Sequence, residues 1–266
     1  MRTEQATHVA SSEDAPFPSE VRREQHRCKI AIFNMMKQRK KIVYVTEPPE
    51  GLFYVPRFLS AEQEEEAMRR IEAQPFEPYD HHGYKANREV VYYGTQGGYN
   101  GVGAEEKAEP FPEWLNLLRE RFSEFFGLQS EELAMALVAR YKVGAGIGWH
   151  RDRPQFGPTV FGLSLASDAE MRFRRFVGDD EEMFKINLQR GSAYAIGGPA
   201  RSVWQHGMSP VKELRYSITF RTIRDKSNSA PDPRQAPERI AQRISEAGID
   251  YLAAVSTGPK QLKLGI

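Results

Sequence analysis

Two histidines and an aspartate have the residue types and spacing of a metal site. One residue separates His150 from Asp152, and His206 follows Asp152 by 54 residues (206 − 152). Two imidazoles and one carboxylate are typical of Fe(II), because they occupy one face of an octahedral ion and leave the opposite face open for a cosubstrate and O2. Residues i and i+2 of a strand share a face, so we expect residues 147–152 to form a strand and His206 to lie on a strand beside it. A His-x-Asp pair alone is also common on polar surface strands, and the hypothesis therefore depends on the sequence that follows.

The sequence RYSITFR at 215–221 alternates polar and apolar residues. This period of two predicts a half-buried strand with Arg215, Ser217, Thr219 and Arg221 on its polar face. Guanidinium binds carboxylate through two parallel hydrogen bonds, so this face could hold a dicarboxylic acid such as 2-oxoglutarate, whose other end would chelate the metal. The alternative is a solvated strand with two surface arginines.

Three segments in this order resemble the AlkB family: IGWHRD at 147–152, GGPARSVWQHG at 197–207 and the strand 215–221. The resemblance covers residues 50–226. AlkB proteins are Fe(II)- and 2-oxoglutarate-dependent dioxygenases of DNA and RNA repair that demethylate N-alkylated bases. The resemblance therefore implies a nucleic-acid demethylase that takes 2-oxoglutarate and O2 as cosubstrates and releases formaldehyde, succinate and CO2.

The resemblance also implies roles for individual residues. It assigns three iron ligands: His150, Asp152 and His206. Arg215 and Arg221 match the arginines that bind 2-oxoglutarate, and Tyr141 matches a tyrosine that hydrogen-bonds it. Ser217 stands where many members carry asparagine, and Ala139 replaces a frequent asparagine two residues before the tyrosine.

Residues 79–103 match the region that forms a lid over the substrate base in AlkB proteins. Arg88 and Tyr92 in this segment are predicted to bind substrate, because rings and guanidinium groups stack on an extruded base whatever its identity. An ordinary hairpin with a glycine-rich turn is the alternative. After Asp152 the sequence continues RPQF, so no carboxylate follows the metal motif to meet a cationic methylated base.

The sequence predicts a mostly β, α+β fold with flanking helices around a double-stranded β-helix, or jelly roll. Eight short strands at regular spacing favour a double-sheet fold. They are expected at 137–142, 147–152, 159–165, 170–176, 183–188, 192–196, 202–208 and 214–222. Helices are expected at 61–73, where Ser60 and Gln63 form a capping-box pattern, and at 112–126, where aromatic residues recur at helical spacing.

Two smaller features concern surface and packing. Trp149 alternates with His150, which favours a packing role for the indole. Arg172, Arg174 and Arg175 make the strand 170–176 basic, and we interpret them as one face that meets either phosphates or water.

The chain is predicted to have three parts. Residues 1–50 form an extension that contains a basic segment at 22–41, residues 51–226 form the jelly-roll domain with its lid, and residues 227–266 form a linker and a short helix. The basic segment suits either phosphate contacts or docking as an amphipathic helix. The lone cysteine, Cys28, rules out a disulfide framework within one chain. With a net charge of +1 and no long apolar run, the sequence favours an intracellular protein, cytoplasmic or nuclear, without a membrane partner.

Two other functions remain compatible with the residues. The same chemistry could act on a protein side chain or a small molecule, or the chain could bind nucleic acid with little turnover. The sequence does not choose between DNA and RNA, and it does not give the modified base or the oligomeric state.

Overall fold

The computed structural model describes residues 41–81, 84–94 and 109–223, together with Gln242, Ser245 and Glu246. The strands of this part are β1 Ile42–Tyr44, β2 Leu52–Val55, β3 Glu77–His81, β4 Tyr84–Gly94, β5 Met135–Tyr141, β6 Ile147–His150, β7 Phe156–Leu165, β8 Ala169–Val177, β9 Asp180–Leu188, β10 Ser192–Ile196, β11 Gln205–Met208 and β12 Arg215–Ile223. The helices are α1 Ala61–Glu72, α2 Glu113–Phe126 and α3 Gly198–Ser202, with a 3-10 turn at Ser130–Glu132.

The strands form two sheets. The larger has the order β2-β10-β7-β12-β5-β4-β3, and the smaller has the order β1-β9-β8-β11-β6. Neighbouring strands are antiparallel except β1, which pairs with β9 in parallel. All eight strands predicted after residue 134 are present, so the predicted mostly β fold with a jelly-roll core and flanking helices is confirmed.

Helices α1 and α2 cover the outer face of the larger sheet. Ser60 and Gln63 form the predicted capping box at the start of α1, with the Ser60 hydroxyl accepting from the Gln63 amide and the Gln63 side chain accepting from the Ser60 amide. The predicted aromatic stripe of α2 packs against β12, where Phe122 lies 5.2 Å from Phe220 between ring centres. Leu117 is the exception in the stripe, because 62% of its surface is exposed.

A second hydrophobic cluster lies between the two sheets. It joins Leu137 and Tyr141 of β5 to Phe173 of β8, Phe184 of β9 and Tyr194 of β10. Because strand side chains alternate between faces, β5 contributes Ala136 and Val138 to the helix side and Leu137 to this inner side. The inner cluster surrounds the predicted site residues.

Three local predictions about strands are wrong in detail. Strand β6 ends at His150 rather than Asp152, because the chain leaves the ladder there and Arg151 donates a hydrogen bond to the Val203 carbonyl at 2.7 Å. The predicted strand 202–208 begins only at Gln205, since the GGPARS sequence folds into helix α3 first. Strand β12 is buried on both faces rather than half-buried, because its polar face lies inside the protein.

Several predicted segments fall outside the described residues. These are the basic segment 22–41 apart from Lys41, the lid at 82–83 and 95–103, and most of the tail 227–266. Strand β1, which precedes the predicted start of the catalytic domain at residue 51, joins the smaller sheet. No helix in the described ranges is long and apolar enough to cross a membrane.

Candidate active site

Strands β6 and β11 bring the predicted metal ligands together. His150 and His206 are directly paired across these antiparallel strands, with ring centres 4.3 Å apart. Asp152, just beyond β6, places a carboxylate oxygen 3.5 Å from Nε2 of His206. One ligand atom from each of the three residues lies within 4.8 Å of the others, which is the geometry of a group that can hold a metal ion. The sequence prediction of a histidine on a neighbouring strand is confirmed.

The surroundings hold two of these groups in the protonation states that a metal needs. Burial opposes ionisation of Asp152, but the charges of Arg221, His206, His150 and Arg201 together outweigh it and lower the pKa of the carboxyl to about 2. Burial, reinforced by His150, lowers the pKa of His206 to about 3. At neutral pH the site therefore offers a carboxylate and a neutral imidazole, which are the ligating forms.

Hydrogen bonds orient the ligands. Nδ1 of His150 lies 3.0 Å from the Gly148 carbonyl, which leaves Nε2 as the ring nitrogen for a metal. Arg221 donates from Nε and Nη2 to one oxygen of Asp152, at 3.3 and 3.1 Å. Arg201 of α3 donates to the carbonyls of Arg153 and Phe156, so it ties the loop after Asp152 to the segment before β11.

The triad lines a cavity of about 560 Å³ between the two sheets. Tyr141, Ser217 and Arg221 also line it, so most of the residues predicted to bind the cosubstrate share one cavity with the metal triad. Three further arginines, Arg88, Arg151 and Arg153, also line the cavity.

Arg215, the remaining residue predicted to bind the cosubstrate, is fully buried and is not among the residues that line this cavity. Its Nε donates to the Ser164 hydroxyl at 3.2 Å, and its guanidinium carbon lies 4.9 Å from the centre of the Tyr141 ring. Nη1 and Nη2 have no hydrogen-bond partner among the described residues. Burial of a guanidinium with two unsatisfied nitrogens destabilises the protein unless an anion binds there. These atoms therefore fit a carboxylate ligand.

Sequence reasoning missed two residues here: Tyr194, and Ser164, which accepts from Arg215 but does not line the cavity. Tyr194 lines the cavity, and burial raises the pKa of its phenol to about 12, so the hydroxyl stays protonated and can donate a hydrogen bond. Its ring lies against the backbone of Gly162, where an added Cβ would come within 2.0 Å of Cζ. The signal in the sequence was a glycine in the middle of a strand, which often marks the close approach of another group.

The two predicted substrate residues have different surroundings. Arg88 lines the cavity, and its guanidinium carbon lies 4.0 Å from the ring centre of Tyr79, which also lines it. Tyr92 is not among the lining residues; it packs against the inner hydrophobic cluster, opposite Leu137.

Two expectations about the smaller sheet need correction. Trp149 is not simply a packing residue, because it is half-buried, lines the cavity and stacks with Arg172 and Arg174. The three arginines of β8 do not share one face. Arg175 lies on the opposite side from the other two, 4.8 Å from the Trp204 ring centre and ion-paired with Glu182.

Comparison with known proteins gives the class of protein. A sequence model described as the 2OG-Fe(II) oxygenase superfamily matches residues 51–221. The chain is 26% identical over 179 residues to a probable RNA/DNA demethylase, ALKBH6, from Danio rerio, covering 64% of this chain and 74% of that protein. It is 27% identical over 179 residues to the tRNA (carboxymethyluridine(34)-5-O)-methyltransferase alkbh8 of Xenopus tropicalis, covering 65% of this chain and 27% of that protein. The solved structure of OsALKBH1 matches at 20% identity with a TM-score of 0.48, covering 66% of this chain and all of that one.

The chain belongs to the 2OG-Fe(II) oxygenase superfamily. Within it the chain is of the AlkB type, as its motifs predicted. It is a 2-oxoglutarate-dependent dioxygenase that uses Fe(II), with O2 as the second cosubstrate, and the donor set of the triad fits that metal.

The buried phenol of Tyr194 gives a prediction about cosubstrate affinity. Loss of one neutral hydrogen bond is worth about 0.5–1.5 kcal/mol, so Tyr194→Phe should weaken 2-oxoglutarate binding roughly 2- to 10-fold. Gly162→Ala should weaken binding more, because the new methyl group displaces the phenol. Calorimetric titration with Mn(II) in place of iron measures both. Unaltered affinity for 2-oxoglutarate in both variants would show that Tyr194 does not bind the cosubstrate.

Proposed function

We propose that the protein is an oxidative demethylase of N-alkylated bases in nucleic acid. In this reaction one oxygen atom of O2 enters succinate as 2-oxoglutarate loses CO2, and the other is inserted into a C–H bond of the N-methyl group. The resulting hemiaminal breaks its C–N bond, which releases formaldehyde and restores the N–H. The iron supplies the oxidation when bound, and the chain supplies the ligands, the carboxylate pocket and the walls that position the methyl group.

His150, Asp152 and His206 are proposed as the ligands that bind iron. Arg215 is proposed to bind the distal carboxylate of 2-oxoglutarate, with Ser164 fixing the guanidinium through its Nε. Arg221, which contacts Asp152, is proposed to bind nearer the metal. Tyr141 and Ser217 line the cavity between these groups and complete the cosubstrate site.

The observation that carries the choice of substrate is the set of cations and rings that line the cavity. Arg88, Arg151 and Arg153 line it together with the triad, and the Tyr79 ring lies under Arg88. Cations of this kind bind phosphates, and a guanidinium or an aromatic ring stacks on a base drawn out of its strand. The names of the two homologues, a probable RNA/DNA demethylase and a tRNA methyltransferase, support a nucleic-acid substrate.

A panel of oligonucleotides tests the proposal. Single-stranded and duplex DNA and RNA, each with one N-methylated base, are incubated with enzyme, Fe(II) and 2-oxoglutarate and scored for formaldehyde and succinate. We expect formaldehyde from at least one methylated oligonucleotide and none from its unmethylated partner. Succinate without formaldehyde across the whole panel would move the substrate to a protein side chain or a small molecule, and the absence of both would leave a nucleic-acid binder without turnover.

Arg88 gives a second prediction. Loss of one stacking contact to a base is worth roughly 1–3 kcal/mol, so Arg88→Ala should raise KM for the methylated oligonucleotide about 5- to 100-fold. The amount of formaldehyde released per succinate should also fall, because the variant converts 2-oxoglutarate to succinate when no methylated base is in position to react. Lys142→Ala removes an exposed cation from the end of the neighbouring strand β5 and should change neither quantity. Equal KM in Arg88→Ala and in the wild-type enzyme would exclude a substrate role for this residue.

A further inference from the structure

The outer face of the smaller sheet carries alternating aromatic rings and cations. Arg172 and Arg174 lie 4.9 and 4.6 Å from the ring centre of Trp149. Arg174 also lies 5.4 Å from the Phe176 ring centre. On the next strand, Lys185 is paired with Arg172 and places Nζ 5.6 Å from the ring centre of Tyr44. These contacts join six residues into one surface, the cation–aromatic face: Tyr44, Trp149, Arg172, Arg174, Phe176 and Lys185.

The rings of this surface are more exposed than a core would leave them. Tyr44 is 59% exposed and Phe176 is 49% exposed, and Ile42 beside Tyr44 on β1 is 48% exposed. Single exposed apolar residues are common on protein surfaces. A cluster of exposed rings that are joined through cations is instead typical of an interaction surface.

The charges of the face favour an anionic partner. Arg174 pairs with Glu181 at 3.4 Å and donates to the Gln205 side chain at 2.9 Å, and Lys185 pairs with Glu170 at 3.4 Å. The three cations of the face therefore outnumber these two carboxylates. Arg172 has no ion pair among the described residues, and its Nε is buried without a hydrogen-bond partner there. A partner that offers both phosphates and flat rings satisfies the cations and covers the aromatic side chains together.

The face is continuous with the active-site cavity. Strand order β1-β9-β8-β11-β6 puts Tyr44 at one edge of the sheet and Trp149 at the other, and Trp149 also lines the cavity. Four strand spacings of about 4.8 Å make the face roughly 19 Å wide. At about 3.4 Å per stacked nucleotide, it spans roughly five to six nucleotides.

We propose that the cation–aromatic face binds single-stranded nucleic acid that flanks the base held in the cavity. The class of partner rests on the proposed function. Bases stack on Tyr44, on Phe176 and on the Arg174 guanidinium that lies against Trp149, while Arg172 and Lys185 meet phosphates. The face therefore favours single strands over duplexes, whose bases are not available to stack.

Binding of an unmethylated, fluorescently labelled 12-nucleotide single strand tests the proposal without any demethylation step. Truncation of one stacking ring weakens affinity by at least about fivefold, so the double variant Tyr44→Ala/Phe176→Ala should bind at least about 25-fold more weakly in fluorescence anisotropy titrations. Its dependence on salt should stay that of the wild-type protein. Leu117→Ala on α2, which truncates an equally exposed apolar side chain away from this sheet, should bind like wild type.

Variants of Arg172 distinguish the contribution of phosphate contacts to affinity from the contribution of base stacking. For a single strand, each neutralised phosphate contributes about −0.7 to the slope of log K against log salt. Arg172→Ala should therefore flatten the slope by about 0.7, and Arg172→Lys should restore it. Thermal melting checks that every variant is folded.

Wild-type affinity in the double variant, or no binding of the strand by the wild-type protein, would overturn the proposal. A double variant that binds normally but changes its sedimentation would show instead that the face joins copies of this chain. Failure of the demethylation panel with intact strand binding would count against the proposed reaction and leave the face as a nucleic-acid surface.

Discussion

His206→Ala should abolish Fe(II)-dependent conversion of 2-oxoglutarate to succinate. His206 supplies one of only two imidazoles in the triad, and Asp152 and His150 alone leave the metal with two protein ligands. Nearly complete loss of iron at micromolar concentrations is expected, because the side chain is buried and no other described histidine stands close enough to replace it. His150→Ala and Asp152→Ala should have the same effect. Succinate production and metal content after gel filtration measure the outcome.

A matched aspartate controls for general damage. Asp168 is exposed, hydrogen-bonds Asn187 and lies outside the cavity, so Asp168→Ala should retain iron and turnover while Asp152→Ala loses both. Circular dichroism should show the β fold in all four variants. Full turnover by folded His206→Ala with iron present would contradict the assignment of the triad.

Arg215→Ala should cause the largest loss of cosubstrate affinity. A buried hydrogen bond to a charged group contributes about 1.5–3 kcal/mol, and two guanidinium nitrogens are available, so we expect 2-oxoglutarate binding to weaken by about 100-fold or more. Iron binding should be unaffected, because Arg215 contacts none of the three proposed ligands; its described hydrogen bond is to Ser164. Calorimetric titration of 2-oxoglutarate with Mn(II) in place of iron measures this loss.

Arg140→Ala is the matched control for that experiment. Arg140 is on strand β5 beside β12, but its side chain lies on the opposite face, where it pairs with Glu89 at 2.7 Å. The control variant should bind 2-oxoglutarate like the wild-type enzyme. If Arg215→Ala binds the cosubstrate equally well, the carboxylate of 2-oxoglutarate lies elsewhere in the cavity.

The triad could be predicted from the sequence because its geometry follows from strand pairing. His150 and Asp152 are close in the chain, and the GGPARSVWQHG segment marks the strand that brings His206 beside them. The polar face of β12 could likewise be predicted from the period-two alternation of its residues. The burial of that face could not be predicted, because alternation alone does not show whether polar side chains face solvent or an internal cavity.

The glycine within β7 indicates that another group comes close, but it does not identify Tyr194 as that group, and the cation–aromatic face could not be predicted either. Tyr194 reaches the site because β10 pairs with β7, which places it over Gly162. These two residues are 32 positions apart (194 − 162), and the sequence of neither strand specifies that they pair. The face combines residues of four strands, and Arg175 shows the risk of reading such a surface from one strand alone. It follows Arg174 in the sequence but lies on the other side of the sheet.

Isotopic labelling of the methyl group tests oxidative demethylation most directly. A single-stranded oligonucleotide whose N-methyl carbon is ¹³C is incubated with enzyme, Fe(II), 2-oxoglutarate and ¹⁸O2. The account predicts ¹³C-formaldehyde and demethylated base in equal amounts, with one ¹⁸O atom in each succinate, and neither product from the His206→Ala enzyme. Formation of ¹⁸O-succinate while the ¹³C-methyl group stays on the base, for every methylated oligonucleotide tested, would contradict oxidative demethylation.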